Sequence, residues 1–167
     1  MDEYFLTCPR GLEDITGQQI SKYIKEYPTI DKGGVSFNGD IYDMYLANLH
    51  SRTGMHLLKK ITSFKIDNNK DLYIKIYEYD WDKLIGVDKK FLIRTKIKST
   101  LFNNSNFVTL KIKDAIVDKI RKKNGKRPSI DKINPDIILF VIVRKNEITI
   151  YVDSSGDPLY KRGYRTK

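Results

Sequence analysis

The sequence predicts an α+β fold built as two small units in tandem, and three observations predict it. Hydrophobic runs of strand period and of helix period succeed one another along the whole length. Short turn signals, Gly33-Gly34 and Arg144-Lys145-Asn146-Glu147, fold neighbouring strands back on each other. At 167 residues, 40% hydrophobic and 31% charged, the composition is that of a globular protein, long enough for a core without disulfides or metal.

The elements follow in order. Tyr4 to Cys8 is a first strand, and Leu12 to Tyr27 is expected as a helix burying Leu12, Ile15, Ile20 and Ile24. Thr29-Ile30 and Val35-Ser36-Phe37 flank Gly33-Gly34 as a hairpin. Asp40 is placed to cap a short helix through Tyr42, Tyr45 and Leu46. Arg52 to Phe64 reads as a strand running from the first unit into the second. From Ile66 the second unit begins, with a helical region around Leu72, Ile74, Ile76 and Tyr77, a core Trp81, and Gly86 as its end.

Phe91 to Lys98 alternates, placing Phe91, Ile93, Thr95 and Ile97 on one face and Arg94, Lys96 and Lys98 on the other. After Asn103-Asn104-Ser105-Asn106 a helix to about Lys123 buries Val108, Ile112, Ala115, Ile116 and Ile120, and Gly125 ends it. The continuous apolar run Ile137 to Val143 suits a strand covered on both faces in the middle of a sheet. Ile148, Ile150 and Val152 then alternate as a half-exposed partner. No internal repeat of 20 to 50 residues is visible, so the two units share architecture only.

No apolar run approaches the roughly 18 residues of a membrane span. The start, Met1-Asp2-Glu3-Tyr4, lacks the basic n-region of a signal peptide, so a soluble, cytoplasmic setting is expected. Cys8 is a lone cysteine in an apolar run and reads as a small core residue. His50 and His56 lie on different elements, and a zinc site is not expected. Asn134-Pro135-Asp136 has the outline of an amine-accepting methyltransferase tetrapeptide without its second proline and aromatic, and a structural reading is favoured. A methyl-donor site needs a glycine-rich turn between strand and helix and an acidic residue for the ribose. Neither is arranged that way, so no catalytic residue and no cofactor are assigned to this chain.

The net charge of +10 is uneven along the chain. Residues 1–60 carry 7 Lys/Arg against 8 Asp/Glu, and residues 61–90 carry 6 of each. Residues 91–127 carry 11 against 2, and residues 128–167 carry 7 against 5. A general preference for lysine would spread the excess evenly; instead one segment holds it, as a phosphate-binding surface would. Arg94, Lys96 and Lys98 stand about 7 Å apart along their strand. Lys111, Lys113, Arg121, Lys122, Lys123, Lys126 and Arg127 follow on the helix and its exit loop. Lys161, Arg162 and Arg165 alternate with Tyr160 and Tyr164 in a Gly- and Pro-punctuated tail.

Cys8-Pro9-Arg10-Gly11-Leu12-Glu13, Asn48-Leu49-His50-Ser51-Arg52-Thr53, Lys113-Asp114-Ala115-Ile116-Val117-Asp118, Gly125-Lys126-Arg127-Pro128 and the tail Ser155 to Arg165 resemble the amino-terminal half of bacterial 23S ribosomal RNA guanine-N2 methyltransferases. Tyr160 stands where that family usually has His, and Val152-Asp153-Ser154-Ser155 replaces a Leu-Asp-Leu-Ser run. The resemblance implies a ferredoxin-like domain at 1–62, a THUMP domain at 63–155 and a connector at 156–167, with mixed sheets and helices packed on one face. It further implies a module that holds structured RNA, 23S rRNA, for a C-terminal methyltransferase domain using S-adenosylmethionine. The rivals are a protein-interaction domain docking on an acidic partner and a THUMP module gripping tRNA.

Overall fold

The computed structural model describes residues 1–163. Two compact units emerge: the first takes residues 1–60 together with the returning segment from Asp153, the second Ile61–Val152.

The first unit contains β1 (Asp2–Thr7), α1 (Glu13–Ile20), β2 (Thr29–Asp31), β3 (Gly34–Gly39), α2 (Ile41–His50) and the opening half of β4 (His56–Lys65). Its strand order is β2-β3-β1-β4, with each neighbouring pair antiparallel. Tyr4, Leu6, Val35, Phe37 and Leu57 from the strands meet Ile20, Ile24 and Ala47 in one core. Burial pushes the thiol of Cys8 up, in keeping with its role as a small apolar side chain. The Asp40 cap holds as expected: its carboxylate accepts from Tyr42 N at 2.8 Å and Asp43 N at 3.1 Å, while Asp43 returns a bond from Asp40 N at 3.0 Å.

Three expectations for this unit need correction. The first helix stops at Ile20 and gives way to turns that keep local bonds from Ser21, Tyr23 and Ile24; the N–H of Lys25 then donates to the buried Asp43 carboxylate, and the Tyr23 ring stacks on His50 at 3.7 Å. Its buried face is Thr16, Gly17 and Ile20, while Ile15 is 47% exposed. Gly17 brings the helix close to the sheet, where a Cβ would lie 3.6 Å from Val35. The strand expected from Arg52 starts at His56, because Gln19 Oε1 accepts from Arg52 N and Thr53 N and holds those residues in a loop.

The tail was expected as a connector from 156, yet residues 153–163 pack into the first unit. The N–H of Ser154 donates to Leu57 O at 2.9 Å and that of Leu159 to Met55 O at 2.8 Å; the Leu159 side chain, 2% exposed, joins the core. The buried Asp153 carboxylate pairs with His56 Nδ1 at 2.8 Å.

The second unit holds the rest of β4, then α3 (Asn69–Glu78), β5 (Lys90–Lys98), α4 (Ser105–Asn124), β6 (Ser129–Ile130), β7 (Ile137–Arg144) and β8 (Glu147–Asp153). β5 pairs parallel with β6 and β7, and β7 antiparallel with β8, so the sheet is mixed and β7 is interior as expected. Both helices cover one face, through Ile112, Ala115, Ile116 and Ile120 of α4 and Leu72 and Ile76 of α3 against Phe91, Ile93, Leu139, Val141 and Val143. The other row of β7, Ile138, Phe140 and Ile142, is only half-buried, short of the full two-sided cover expected. Trp81 is fully buried and donates from Nε1 to Ile76 O at 2.6 Å. Ile74, one of the apolar residues of α3, is 52% exposed. Gly125 closes α4 at φ +71°, a left-handed position where its N–H reaches Arg121 O at 2.8 Å.

Two glycines of the first unit should respond oppositely to alanine. A Cβ at Gly34 would collide with the Leu6 carbonyl and with the Phe5 ring at 2.7 Å, so Gly34→Ala is expected to cost about 1–3 kcal/mol. Gly17→Ala meets only ordinary contacts inside a helix and should gain about 0.5–1 kcal/mol. Urea denaturation of the two variants checks the signs.

Candidate nucleic-acid interface

The basic segment is spread over two surfaces of the second unit. On β5, alternation does what the sequence predicts: Phe91 and Ile93 are buried, Thr95 Oγ1 meets Thr109 Oγ1 of α4 at 2.7 Å, and Arg94, Lys96 and Lys98 point away from the helices, exposed. Parallel register sets Arg94 beside Phe140 and Lys96 beside Ile142, and the Arg94 guanidinium lies 5.6 Å over the Phe140 ring. A row of cations therefore flanks a half-buried apolar row on the helix-free face.

The second surface lies on α4 and its exit. Lys111 sits 5.8 Å over the Phe107 ring, Lys113 pairs with Asp114 at 2.9 Å, and Arg121 lies 3.8 Å from Asp118. Arg121, Lys122, Lys126 and Arg127 are exposed. Lys123 is committed elsewhere: its ammonium meets Asp82 at 2.8 Å and Asp80 at 3.3 Å, and those carboxylates hold its pKa above the ordinary lysine value. It ties the end of α4 to the turn around Trp81. Lys161 and Arg162 belong to the first unit, where Arg162 donates to Leu49 O at 3.2 Å; Arg165 lies outside the described residues.

Between α3 and α4 run two adjoining depressions of about 440 and 400 Å³. Tyr73 and Asp118 line both. Arg121, Lys122 and Tyr77 complete the first, and Lys111, Asp114 and Arg127, with Phe107 and Leu110, line the second. Tyr73 stacks on Tyr77 with centroids 5.9 Å apart, Lys119 sits 5.2 Å over the Tyr77 ring, and the Tyr73 hydroxyl donates to Asp118 at 2.8 Å.

Asn134, Pro135 and Asp136 have a structural role. The Asp136 carboxylate accepts from Lys90 N at 2.7 Å and its N–H donates to Lys90 O at 2.8 Å, joining the starts of β5 and β7. Asp131 orders the loop before them; the N–H groups of Asn134 and Ile133 and the Lys90 ammonium hold its pKa down at about 2. Among the described residues no group of three or more His, Cys, Asp and Glu assembles for a metal, and no helix is long and apolar enough to cross a membrane.

Comparison with known proteins places this geometry. The profile of the THUMP domain matches residues 67–153, and that of the RlmL ferredoxin-like domain matches residues 3–58. The chain belongs to the THUMP family. The ferredoxin-like domain precedes the THUMP domain, as the sequence resemblance implies. Ribosomal RNA large subunit methyltransferase K/L of Acinetobacter baylyi is 34% identical over 99% of the chain, which spans 23% of that protein. A solved structure from Listeria monocytogenes, described as a predicted N6-adenine-specific DNA methylase, is 26% identical with a TM-score of 0.82, covering 98% of this chain and 43% of that one. A possible methylase from Clostridium difficile shares the fold at 22% identity and a TM-score of 0.83, over 99% of this chain and 44% of that one. The chain is thus homologous to the amino-terminal part of a ribosomal RNA methyltransferase.

The groove of the THUMP domain is not legible from the count of charges, and Tyr73 draws no reading from the sequence alone. Tyr73 and Tyr77 stand four residues apart on α3, and Lys111, Asp114, Asp118 and Arg121 repeat at helical spacing on α4; that pairing of faces was the available signal.

Tyr73 reports on the groove directly. Burial and then the bond to Asp118 push its pKa from 10.0 up to about 12. A raised tyrosine pKa stabilises the fold at lower pH, and that contribution fades as pH climbs from about 10 toward 12. In an alkaline absorbance titration, Asp118→Asn should shift one late-ionising tyrosine toward 10, and Tyr73→Phe should remove it.

Proposed function

We propose that this chain is the RNA-holding module of a 23S rRNA guanine-N2 methyltransferase. Its ferredoxin-like and THUMP domains hold structured rRNA while a catalytic domain of the same enzyme transfers the methyl group of S-adenosylmethionine in the cytoplasm. The observation that carries the reading is the confinement of the charge excess to residues 91–127, 11 Lys/Arg against 2 Asp/Glu, on β5 and α4 of a THUMP domain. The kinship with an rRNA methyltransferase over 99% of the chain supports RNA as the polymer.

The residues proposed for contact are Arg94, Lys96, Lys98, Lys111, Arg121, Lys122, Lys126 and Arg127. Lys113 and Lys123 are paired with neighbouring carboxylates, which offset their charge, so they are left out of the contact set. Lys161 and Arg162 are proposed as RNA contacts of the first unit. No residue is assigned to the cofactor, because among the described residues no glycine-rich turn joins a strand to a helix beside an acidic ribose partner.

Binding should favour structured RNA over duplex DNA. With roughly six phosphates contacted, affinity should fall about a thousandfold between 50 and 200 mM salt. Arg94→Glu with Lys96→Glu should weaken binding more than Lys22→Glu with Lys25→Glu, although both pairs change formal charge equally. Filter binding of a 23S fragment decides between them. Equal losses would make attraction a matter of net charge, and preference for duplex DNA would turn the reading toward the activity named for the Listeria protein.

A further inference from the structure

The α3–α4 groove differs in kind from the cationic row on β5. The α4 charges that line the groove run Lys111, Asp114, Asp118, then Arg121 and Lys122, cations at both ends and carboxylates between; of the other cations on this stretch, Lys113 pairs with Asp114 and Lys119 sits over the Tyr77 ring. From Lys111 to Lys122 the helix rises about 16 Å. At the middle, where the two depressions adjoin, lie the half-buried Tyr73 ring and Asp118.

We propose that this groove is a stacking site for an unpaired base of single-stranded RNA. The proposal rests on the RNA reading and adds the form of RNA and the place. A nucleotide strand carries anionic phosphates at intervals and, between them, flat bases whose edges donate N–H groups. Its charge pattern is the complement of the groove: phosphates against Lys111 and Arg127 at one end and Arg121 and Lys122 at the other, a base over tyrosine in the middle, and its N–H edge toward Asp118. An acidic peptide would bring carboxylates against Asp114 and Asp118. Duplex RNA buries its base faces and has nothing to lay on Tyr73. The surface on β5 tracks phosphates and makes no such distinction.

Fluorescence anisotropy with a single-stranded RNA dodecamer and a blunt RNA duplex of equal length tests the proposal. Tyr73→Leu should weaken single-strand binding about tenfold, the loss of one stacked base, and leave duplex binding within about twofold. Tyr73→Phe, which keeps the ring, should stay within about twofold of wild type on both. Because Tyr73 also packs against the core, circular dichroism checks the fold of the leucine variant. A 2-aminopurine placed in the dodecamer gives a readout on the unaltered protein, and its fluorescence should be quenched on binding. Unquenched fluorescence, or single-strand binding indifferent to Tyr73→Leu in a folded variant, overturns the stacking site while the phosphate-holding reading stands. Absence of binding to every RNA, the 23S fragment included, overturns both.

Discussion

The parallel pairing of β5 with β7 governs the rest of the THUMP unit. Residues Phe91 to Lys98 run beside Ile137 to Arg144 one for one, so the alternation of each strand is fixed relative to the other. Phe91, Ile93, Leu139, Val141 and Val143 must then face α4, whose Ile112, Ala115, Ile116 and Ile120 close over them. The same register sends Arg94, Lys96 and Lys98 to the opposite face. A slip of one residue would bury three cations and expose the core row, at a cost no small domain could sustain. The basic face is therefore a consequence of the core, and the core selects the register.

That coupling explains what was legible in the sequence. Where one face is strongly apolar and the other charged, period alone places side chains: every core position expected for α4 is buried, Gly125 takes the left-handed cap, and the β5 alternation is observed. Where burial depends on a distant partner, period misleads. Ile15 carries the larger side chain, but Thr16 and Gly17 meet the sheet because glycine permits closer approach. Past Ile20 the backbone leaves the helical pattern at Lys25, whose N–H goes to Asp43, a residue 18 positions further on. The groove escaped notice for the same reason: nothing local marks Tyr73 as a partner of Asp118 across 45 residues.

The chain path adds a constraint on the first unit. It leaves at Lys60 within β4 and comes back at Asp153, where the buried Asp153–His56 pair and the Ser154 and Ser155 hydrogen bonds to Leu57 secure the return. Leu159 completes a core that would otherwise be short of a side chain. Residues 153–163 thus pack as part of the first unit, and the cations Lys161 and Arg162 are displayed from that unit.

Photo-crosslinking of the chain to a uniformly 4-thiouridine-labelled 23S rRNA fragment, followed by peptide mapping, tests the central claim most directly. The account predicts that crosslinked peptides fall on β5, α4 and the exit loop to Arg127, with few from the near-neutral residues 1–60. Crosslinks concentrated in residues 1–60, with residues 91–127 unmarked, would contradict it.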